Sequence, residues 1–337
     1  MRSPRLPILV VAIVAVLALA GCGHRQDVQQ TLRSQNFQAP NSWPELLAAY
    51  QPWFGRPGHI DVGYNSQDRV VLQRQIQEAR NLGIHGFVVN WYGPRHAFED
   101  HAYLALQQEA AQRDFHVALM YDEDVDDPGH STDQAIADLQ FAYEHYIGLQ
   151  ADPSRVAYLR YNEQPVIFLF PKGGGTDWAR VRQAVNNWPE HPLLIMKDIR
   201  ADQAGIFDGF YAWVQPGAGG WASNGSNWGR DYLDAFYSIM AGKFSDKITV
   251  GAAWPGFNDT RASWSRNRRM DGRCGRTFED SLRLFRRYFS PQHPLPFLMI
   301  VTWNDYEEGT AIERGGYASC GANSARASAS AGPQTSQ

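Results

Sequence analysis

Eight short apolar segments alternate with amphipathic ones along the chain, and this alternation limits the possible fold more than any other feature. The eight segments read LLAAYQPWF, IHGFVVNWYG, FHVALMYDED, PVIFLFP, PLLIMKD, FDGFYAWVQP, KITVGAAWPG and PFLMIVTWND. Strands that alternate with helices favour a parallel sheet. Eight of them over this length predict a single α/β domain of the (β/α)8 TIM-barrel type.

The segments between the strands mostly have apolar residues at helical spacing. We predict helices over residues 66–83, 103–113, 131–149, 176–188, 227–241 and 277–288. Gly83 is the expected stop of the first helix, and Ser131 or Thr132 the expected N-cap of the third.

An open doubly wound sheet is the alternative fold, but it usually carries a glycine-rich nucleotide loop after its first strand, and none is found there. Gly173–Gly175 lack the Lys-Ser/Thr of a phosphate loop and the spacing of a dinucleotide fingerprint, so we interpret them as an ordinary loop. No convincing helix follows the eighth strand. Either another segment, such as the N-terminal stretch, closes the barrel, or the natural C-terminus is altered.

The first 21 residues have the pattern of a signal peptide. Arg2 and Arg5 precede an apolar stretch that ends at Ala20 and is too short to span a bilayer comfortably. The stretch ends in LAGC, which resembles a bacterial lipobox, so we expect lipidation at Cys22; an ordinary secretory signal or an uncleaved anchor is the alternative. No Asp follows Cys22, which favours a lipid anchor in the outer membrane of the cell envelope, on its periplasmic or surface face.

The predicted organisation is a signal peptide (1–21), a polar tether (22–43), a barrel domain (44–314) and a low-complexity tail of Gly, Ala and Ser (315–337). Cys274 and Cys320 remain as an even pair in an oxidising compartment, which leaves a disulfide and two free thiols as alternatives. We expect a monomer.

Composition narrows the choice of ligand. The net charge of −4 with mixed signs argues against a nucleic-acid partner, and 13% aromatic residues, including 11 Trp, fit either a large core or a site lined by flat rings. The histidines lack metal-ligand spacing, and the acidic run Asp122–Asp127 lacks the Gly and terminal Glu of an EF-hand loop. The sequence therefore predicts no metal and no cofactor. We interpret Asp122 as a site residue, the rest of the run as a solvated loop, and Arg266–Arg269 as a loop that contacts acidic site residues.

In such a barrel the active site lies at the C-terminal ends of the strands. The residues there are aromatic or polar, as expected for sugar binding: rings stack on sugar faces, and carboxylates bind hydroxyls or transfer protons. The predicted substrate-binding residues are Tyr50, Trp53, Trp91, Tyr92, Asp122, Tyr211, Trp213, Trp254 and Asn304.

Asp305 and Glu308 follow the eighth strand and are the candidate catalytic residues. Residues three apart face the same way on a helical turn, so these carboxyls converge if the chain turns after Asn304, while Glu307 points elsewhere. Two convergent carboxyls shift each other's pKa apart and can act as acid and base on a glycosidic bond. A solvated acidic loop is the alternative.

The segment WNDYEEGTAIE resembles the NEWHEGTQIE signature of glycoside hydrolase family 99, the endo-α-mannosidases, and the WNDYGE of family 71, the α-1,3-glucanases. GHIDVGYNSQD, GIHGFVVNWYGP, FDGFYAW and TVGAAWPGFNDTRASWSRNRRMDG resemble further family 99 blocks in the same order. Together they span about residues 45–313.

The resemblance implies an endo-acting glycoside hydrolase that cleaves α-linkages in a polysaccharide or glycan, either an α-mannan or an α-glucan. Glu308 falls on the general acid of family 99, and Asp122 falls near its third-strand Glu. Asp305 stands where family 99 has a Glu that acts as base on the sugar 2-hydroxyl and where family 71 has an Asp. A non-catalytic glycan-binding or surface-polysaccharide assembly protein with the same cleft is the alternative; an ester or amide hydrolase lacks support, since no G-x-S-x-G motif is present.

Overall fold

A computed structural model describes residues 27–34, 44–123, 130–290 and 295–313. Eight parallel strands form a closed barrel in which each strand pairs with the next and the eighth pairs with the first. The strands are β1 (Glu45–Tyr50), β2 (Gly86–Trp91), β3 (His116–Asp122), β4 (Gln164–Phe170), β5 (Leu193–Lys197), β6 (Gly209–Tyr211), β7 (Ile248–Ala253) and β8 (Phe297–Ile300). The predicted (β/α)8 barrel is confirmed, and each strand falls on its predicted segment, with β1 and β4 beginning one residue before it.

The strands form where the chain is apolar without interruption, because a barrel strand is buried on both faces. Every residue of β2 and of β8 is buried. In β1 and β8 the closing register places Glu45 opposite Phe297 and Ala48 opposite Ile300. This common register brings the C-terminal ends of the strands to one rim of the barrel.

Six helices follow strands as predicted, with changed ends. They are α2 (Arg69–Arg80), α3 (Ala97–Ala110), α4 (Ser131–Ala142), α5 (Trp178–Val185), α6 (Arg230–Gly242) and α7 (Arg276–Tyr288). Helix α3 begins at Ala97 rather than at the predicted Tyr103. Its first turn buries Glu99 and Asp100, whose charged side chains made this turn look exposed in the sequence. Glu99 pairs with Arg56, and Asp100 accepts a hydrogen bond from the Trp91 indole, so two buried carboxylates hid the apolar pattern.

The predicted N-cap of α4 is wrong. The cap position is His130, and neither predicted hydroxyl caps the helix. Ser131 Oγ donates to the Gly174 carbonyl and Thr132 Oγ1 accepts from the Asp177 N–H, so both serve the loop after β4. After Ala142 the chain continues as a π-helical turn, Tyr143–Ile147.

An N-terminal helix completes the helix layer after β8, so the alternative that the N-terminal stretch closes the barrel is confirmed, although no helix was predicted there. Residues Asp27–Ser34, assigned above to the polar tether, form α1, which buries Val28 and Leu32 in the core. Helix α1 contacts α7, and its Gln29 side chain donates to the Ile312 carbonyl at 3.3 Å. It thus stands where a helix after β8 would stand. These residues were assigned to the tether because two apolar residues one turn apart are too few to show a helical period in the sequence.

The other terminal predictions lie outside the described residues: the signal peptide, Cys22, the tail and Cys320. Within the described ranges, no helix is both long enough and apolar enough to span a bilayer. Cys274 is disulfide-bonded, so the free-thiol alternative is wrong for this residue. Its pairing with Cys320 stays a prediction.

Candidate active site

The loop that follows β8, residues 301–313, is fixed to the end of β1. The Asn304 side chain accepts a hydrogen bond from the Gln51 N–H at 2.7 Å and donates to the Gln51 carbonyl at 2.9 Å. Asn304 is fully buried, and its Nδ2 also lies 3.3 Å from the Tyr64 hydroxyl. Its predicted role in substrate binding is wrong, because its amide is engaged in positioning the loop.

The chain turns directly after Asn304, and Asp305 caps the turn. Asp305 Oδ1 accepts hydrogen bonds from the backbone N–H groups of Glu307 at 3.1 Å and Glu308 at 2.8 Å. Its own N–H donates to Thr302 Oγ1 at 2.8 Å. Asp305 is only 2% exposed, so its carboxylate is held by the backbone rather than by water.

The turn brings Glu308 to the same side as Asp305. The Glu308 side chain is 18% exposed, and its Oε1 accepts a hydrogen bond from Trp264 Nε1 at 3.1 Å. Arg268 Nη2 lies 3.9 Å from the same oxygen. Glu307 points elsewhere: its carboxylate contacts His59 Nδ1 at 2.9 Å and accepts from the Ile60 N–H.

Gly309 allows the turn to close. Its φ of +64° is in the left-handed region, and a Cβ atom there would lie 3.2 Å from the Asn258 carbonyl oxygen. The same close approach lets the Asn258 N–H donate to the Glu308 carbonyl at 2.7 Å. The loop ends at buried Glu313, which accepts hydrogen bonds from Tyr64 and Tyr306.

Burial raises the pKa of both candidate catalytic carboxyls. For Asp305 the charge of Glu308 raises the pKa further, and the two backbone N–H donors oppose the shift. For Glu308 the Trp264 hydrogen bond and Arg268 oppose it. Because the two carboxyls interact, ionisation of one raises the pKa of the other, and the pair releases its two protons in separate steps. Two interacting carboxyls are the residue type that glycosidic bond cleavage uses.

A second polar cluster lies at the ends of β2, β3 and β4. Asn90 Nδ2 donates to Asp122 Oδ2 at 3.1 Å and to the Tyr92 hydroxyl at 2.7 Å. Lys172 Nζ lies 2.6 Å from Asp122 Oδ1 and 5.1 Å from the Tyr92 ring centre. Burial raises the pKa of Tyr92, and Asp122 and Asp305 raise it further, so this cluster adjoins the catalytic turn.

Two lysines of the rim were missed by the sequence analysis. Lys172 follows β4, and Lys197 is the last residue of β5, where its Nζ lies 3.7 Å from the Phe170 ring centre. Burial lowers the pKa of Lys197, while Asp198, Asp122 and Glu308 favour its charged form. A Lys that ends an apolar strand, as in LLIMK, was the available signal.

Glu123 is caged by the glycine-rich loop after β4. Its carboxylate accepts hydrogen bonds from the backbone N–H groups of Lys172 at 2.6 Å, Gly174 at 2.9 Å and Thr176 at 3.2 Å. Burial would raise the pKa of Glu123, but these bonds hold it below the usual value. The prediction of a solvated loop is therefore wrong for Glu123, and the loop has a structural role that its composition did not reveal.

Aromatic rings border Glu308. Trp53 stacks on His59 with ring centres 4.9 Å apart and meets Trp264 edge-on at 5.9 Å. Arg268 of the basic loop approaches the predicted site residue Glu308 at 3.9 Å, but its shorter contact is with the buried Asp259 carboxylate, 2.8 Å from its Nε. Trp213, another predicted ring, is 7% exposed and packs edge-on against Phe170.

Four of the predicted substrate-binding rings are wrong, because they are fully buried and their polar atoms bond inside the protein. Alternate strand residues face the helix layer, so a ring near a strand end can belong to the core. Their hydrogen bonds run from Tyr50 to Gln75, from Trp91 to Asp100, from Tyr211 to the Leu169 carbonyl, and from Trp254 to the Trp228 carbonyl.

Some buried polar atoms at the rim have no hydrogen-bond partner in the part of the chain that the structure describes. They follow β1 or end β2: Gln51 Oε1, Trp53 Nε1 and Asn90 Oδ1. Unpaired buried atoms also occur among the described residues where β2 and β3 begin, at His85 Nδ1 and His116 Nδ1, so they fit contacts to water as well as to a ligand. Across residues 27–34, 44–123, 130–290 and 295–313, no three His, Cys, Asp or Glu side chains are grouped to hold a metal ion.

The comparisons with known proteins agree with the barrel fold. The family model described as glycosyl hydrolase family 71 matches residues 61–314. An endo-α-mannosidase of family GH99 from Bacteroides thetaiotaomicron superposes with a TM-score of 0.61 at 18% identity, covering 80% of this chain and 86% of that one. A structure described as a glycoside hydrolase-like protein gives 0.57 at 14% identity, covering 81% and 87%. At these identities the structural likeness shows the fold. No curated protein sequence matches the chain.

Proposed function

Because the chain belongs to glycosyl hydrolase family 71 and is therefore a glycoside hydrolase, we propose that it cleaves internal α-linkages of an α-glucan or α-mannan. The observation that carries the proposal is the single turn after β8 that holds Asp305 and Glu308 together, both with raised pKa. The fold shared with an endo-α-mannosidase supports the inclusion of mannans among the candidates.

We assign the general-acid role to Glu308, because it is the member of the pair that reaches the mouth. Its side chain is 18% exposed, whereas Asp305 is 2% exposed. A protonated Glu308 would donate its proton to the oxygen of the leaving group as the glycosidic bond breaks.

Asp305 is the proposed base, acting either on the sugar 2-hydroxyl or on water. Burial and the charge of Glu308 raise the pKa of Asp305 on balance, and two backbone N–H donors oppose that shift by favouring the ionised form. A substrate hydroxyl that donates to Asp305 would stabilise that form further and leave the shared proton on Glu308. Asp122 and Tyr92, with the unpartnered Asn90 oxygen, are the proposed contacts to further sugar hydroxyls.

The test is a screen of the protein against α-1,3-glucan and α-mannan, with proton NMR of the products at early times. We expect cleavage of one polymer into oligosaccharides, and the anomer first formed identifies retention or inversion of configuration. Measurable binding by calorimetry without cleavage of either polymer would contradict the proposal and favour a glycan-binding protein.

We also propose, from the sequence pattern alone, that Cys22 is lipidated and anchors the protein to the outer membrane. Mass spectrometry of the mature N-terminus would show an acylated Cys22, and Cys22→Ser should release the protein from the membrane fraction. An unmodified N-terminus at any other residue would contradict this proposal.

A further inference from the structure

Trp264 is an exposed large ring directly beside a candidate catalytic carboxyl. Among the described residues, the other large hydrophobic side chains that are strongly exposed are Val70, Leu149, Val156 and Ile239. Val70 lies on α2 and Ile239 on α6, in the helix layer. Trp264 differs from these four in its place, because it is 40% exposed and bonded to a candidate catalytic carboxyl.

One edge of the Trp264 ring is fixed. Its Nε1 donates to Glu308 Oε1 at 3.1 Å. The ring meets Trp53 edge-on at 5.9 Å and His59 at 6.1 Å, and His59 is in turn held by Glu307. The indole is therefore oriented by three neighbours while a large part of its surface stays open to solvent.

The position of the ring follows from the role of Glu308. A general acid protonates the oxygen of the leaving group, so an open ring bonded to that acid borders the leaving-group side of the scissile bond. Arg268, which approaches Glu308 at 3.9 Å, is already paired with Asp259. The surface beside Glu308 is thus an apolar face with a compensated cation, which suits an uncharged sugar ring.

We propose that Trp264 is the platform on which the first sugar unit of the leaving group stacks, and that the same indole positions Glu308 through its N–H. This inference rests on the proposed function and deepens it. The ligand class is a neutral pyranose unit that continues the glycan beyond the cleaved bond. A site with such a platform favours internal bonds over the release of small non-sugar leaving groups.

Two substitutions separate the two roles. Trp264→Phe keeps a ring for stacking but removes the N–H donor, which favours the ionised form of Glu308. We expect the basic limb of the kcat/KM profile to move to higher pH, because without this donor the pKa of Glu308 rises and the group stays protonated to higher pH. Trp264→Leu removes both features and should weaken binding of an oligosaccharide roughly tenfold.

The platform is tested first by binding, which does not require turnover. In a Glu308→Gln background, calorimetry with α-1,3-gluco-oligosaccharides and α-manno-oligosaccharides compares Trp264→Phe, Trp264→Leu and the control Ile239→Ala. Ile239 is 41% exposed on α6, in the helix layer and outside the site, so its truncation should leave binding unchanged. We expect only Trp264→Leu to weaken binding, on the order of tenfold. Equal binding by all three variants would overturn the platform.

Kinetics test the side of the scissile bond. An α-glycosyl fluoride carries no sugar on the leaving-group side and needs little acid assistance. Trp264→Phe shares the loss of the N–H, so it is the reference here. Relative to Trp264→Phe, Trp264→Leu should lower kcat/KM roughly tenfold more for an oligosaccharide than for the fluoride of the same sugar. Equal losses on both substrates would place Trp264 elsewhere and contradict the inference. If the unsubstituted protein cleaves neither substrate, the proposed function fails, and the binding series still decides whether Trp264 is a platform.

Discussion

At the scale of single residues, the turn after β8 gives two carboxyls different surroundings within four positions. Asp305 is enclosed and bonded to the backbone, whereas Glu308 reaches the mouth and meets side-chain donors. Two carboxyls on one turn therefore have different surroundings, and different surroundings are what allow one carboxyl to act as acid and the other as base.

We expect Glu308→Gln and Asp305→Asn each to lower kcat by about 100-fold or more, since each removes one partner of the proton transfer. Activity on the polymer identified in the screen is the measurement. Glu279→Gln and Asp133→Asn make the same chemical changes on α7 and α4 and should leave the rate unchanged. Near-full rates in both site variants would refute the assignment of the pair.

The charge of Lys197 acts on the pKa of Glu308. Its ammonium favours the ionised form of Glu308, so Lys197→Met should raise the pKa of Glu308 and move the basic limb of the kcat/KM profile to higher pH. Lys197→Arg retains the charge and should leave the limb in place. A profile that shifts equally in both variants, or in neither, would show that the charge of Lys197 does not act on the pair.

At the scale of elements, the loop between β4 and α5 holds the rim in shape. Its N–H groups enclose Glu123, and its second residue, Lys172, reaches back to Asp122. The loop therefore links Glu123 to Asp122, a predicted site residue. The sequence showed GGG after a strand, but only the folded chain shows which carboxylate the glycines surround.

Glu123→Gln should lower the free energy of unfolding by roughly 1–3 kcal/mol, because an amide N–H2 group would face backbone donors. The pKa of Glu123 is depressed below 4.5, so its contribution is fully present above about pH 4.5 and is lost as the pH falls through its folded value. Urea denaturation at pH 7 and at pH 3 measures both effects. A difference between the proteins that stays constant down to pH 3 would contradict the cage.

At the scale of the whole molecule, the barrel was predictable because its eight strands are continuous apolar runs with helical segments between them. The turn of Asp305 and Glu308 was predictable from their spacing. The orientation of rings was not, since Trp53 and Trp91 both end apolar runs, yet one stacks at the rim and the other bonds to Asp100 in the helix layer. The closing helix was missed because Val28 and Leu32 are its only buried side chains within the described part of α1.

The closure by α1 can be tested with Leu32, which is fully buried. Leu32→Ala should lower the free energy of unfolding by about 2–5 kcal/mol, through loss of apolar burial and the cavity that remains. Thermal unfolding of the folded domain is the measurement, with the exposed neighbour Gln30→Ala as the control. Equal midpoints for the two variants would mean that α1 does not contribute to the stability of the barrel.

Helix α1 also limits how far the catalytic domain can move from its proposed anchor. The helix begins at Asp27, and the five residue steps from Cys22 extend to about 18 Å at most. If Cys22 carries acyl chains, the barrel would lie next to the bilayer surface, because the segment between Cys22 and α1 is short. The glycans that it can cleave would then be those within one protein diameter of the membrane. Polymers in the bulk medium would have to reach that layer to be cleaved.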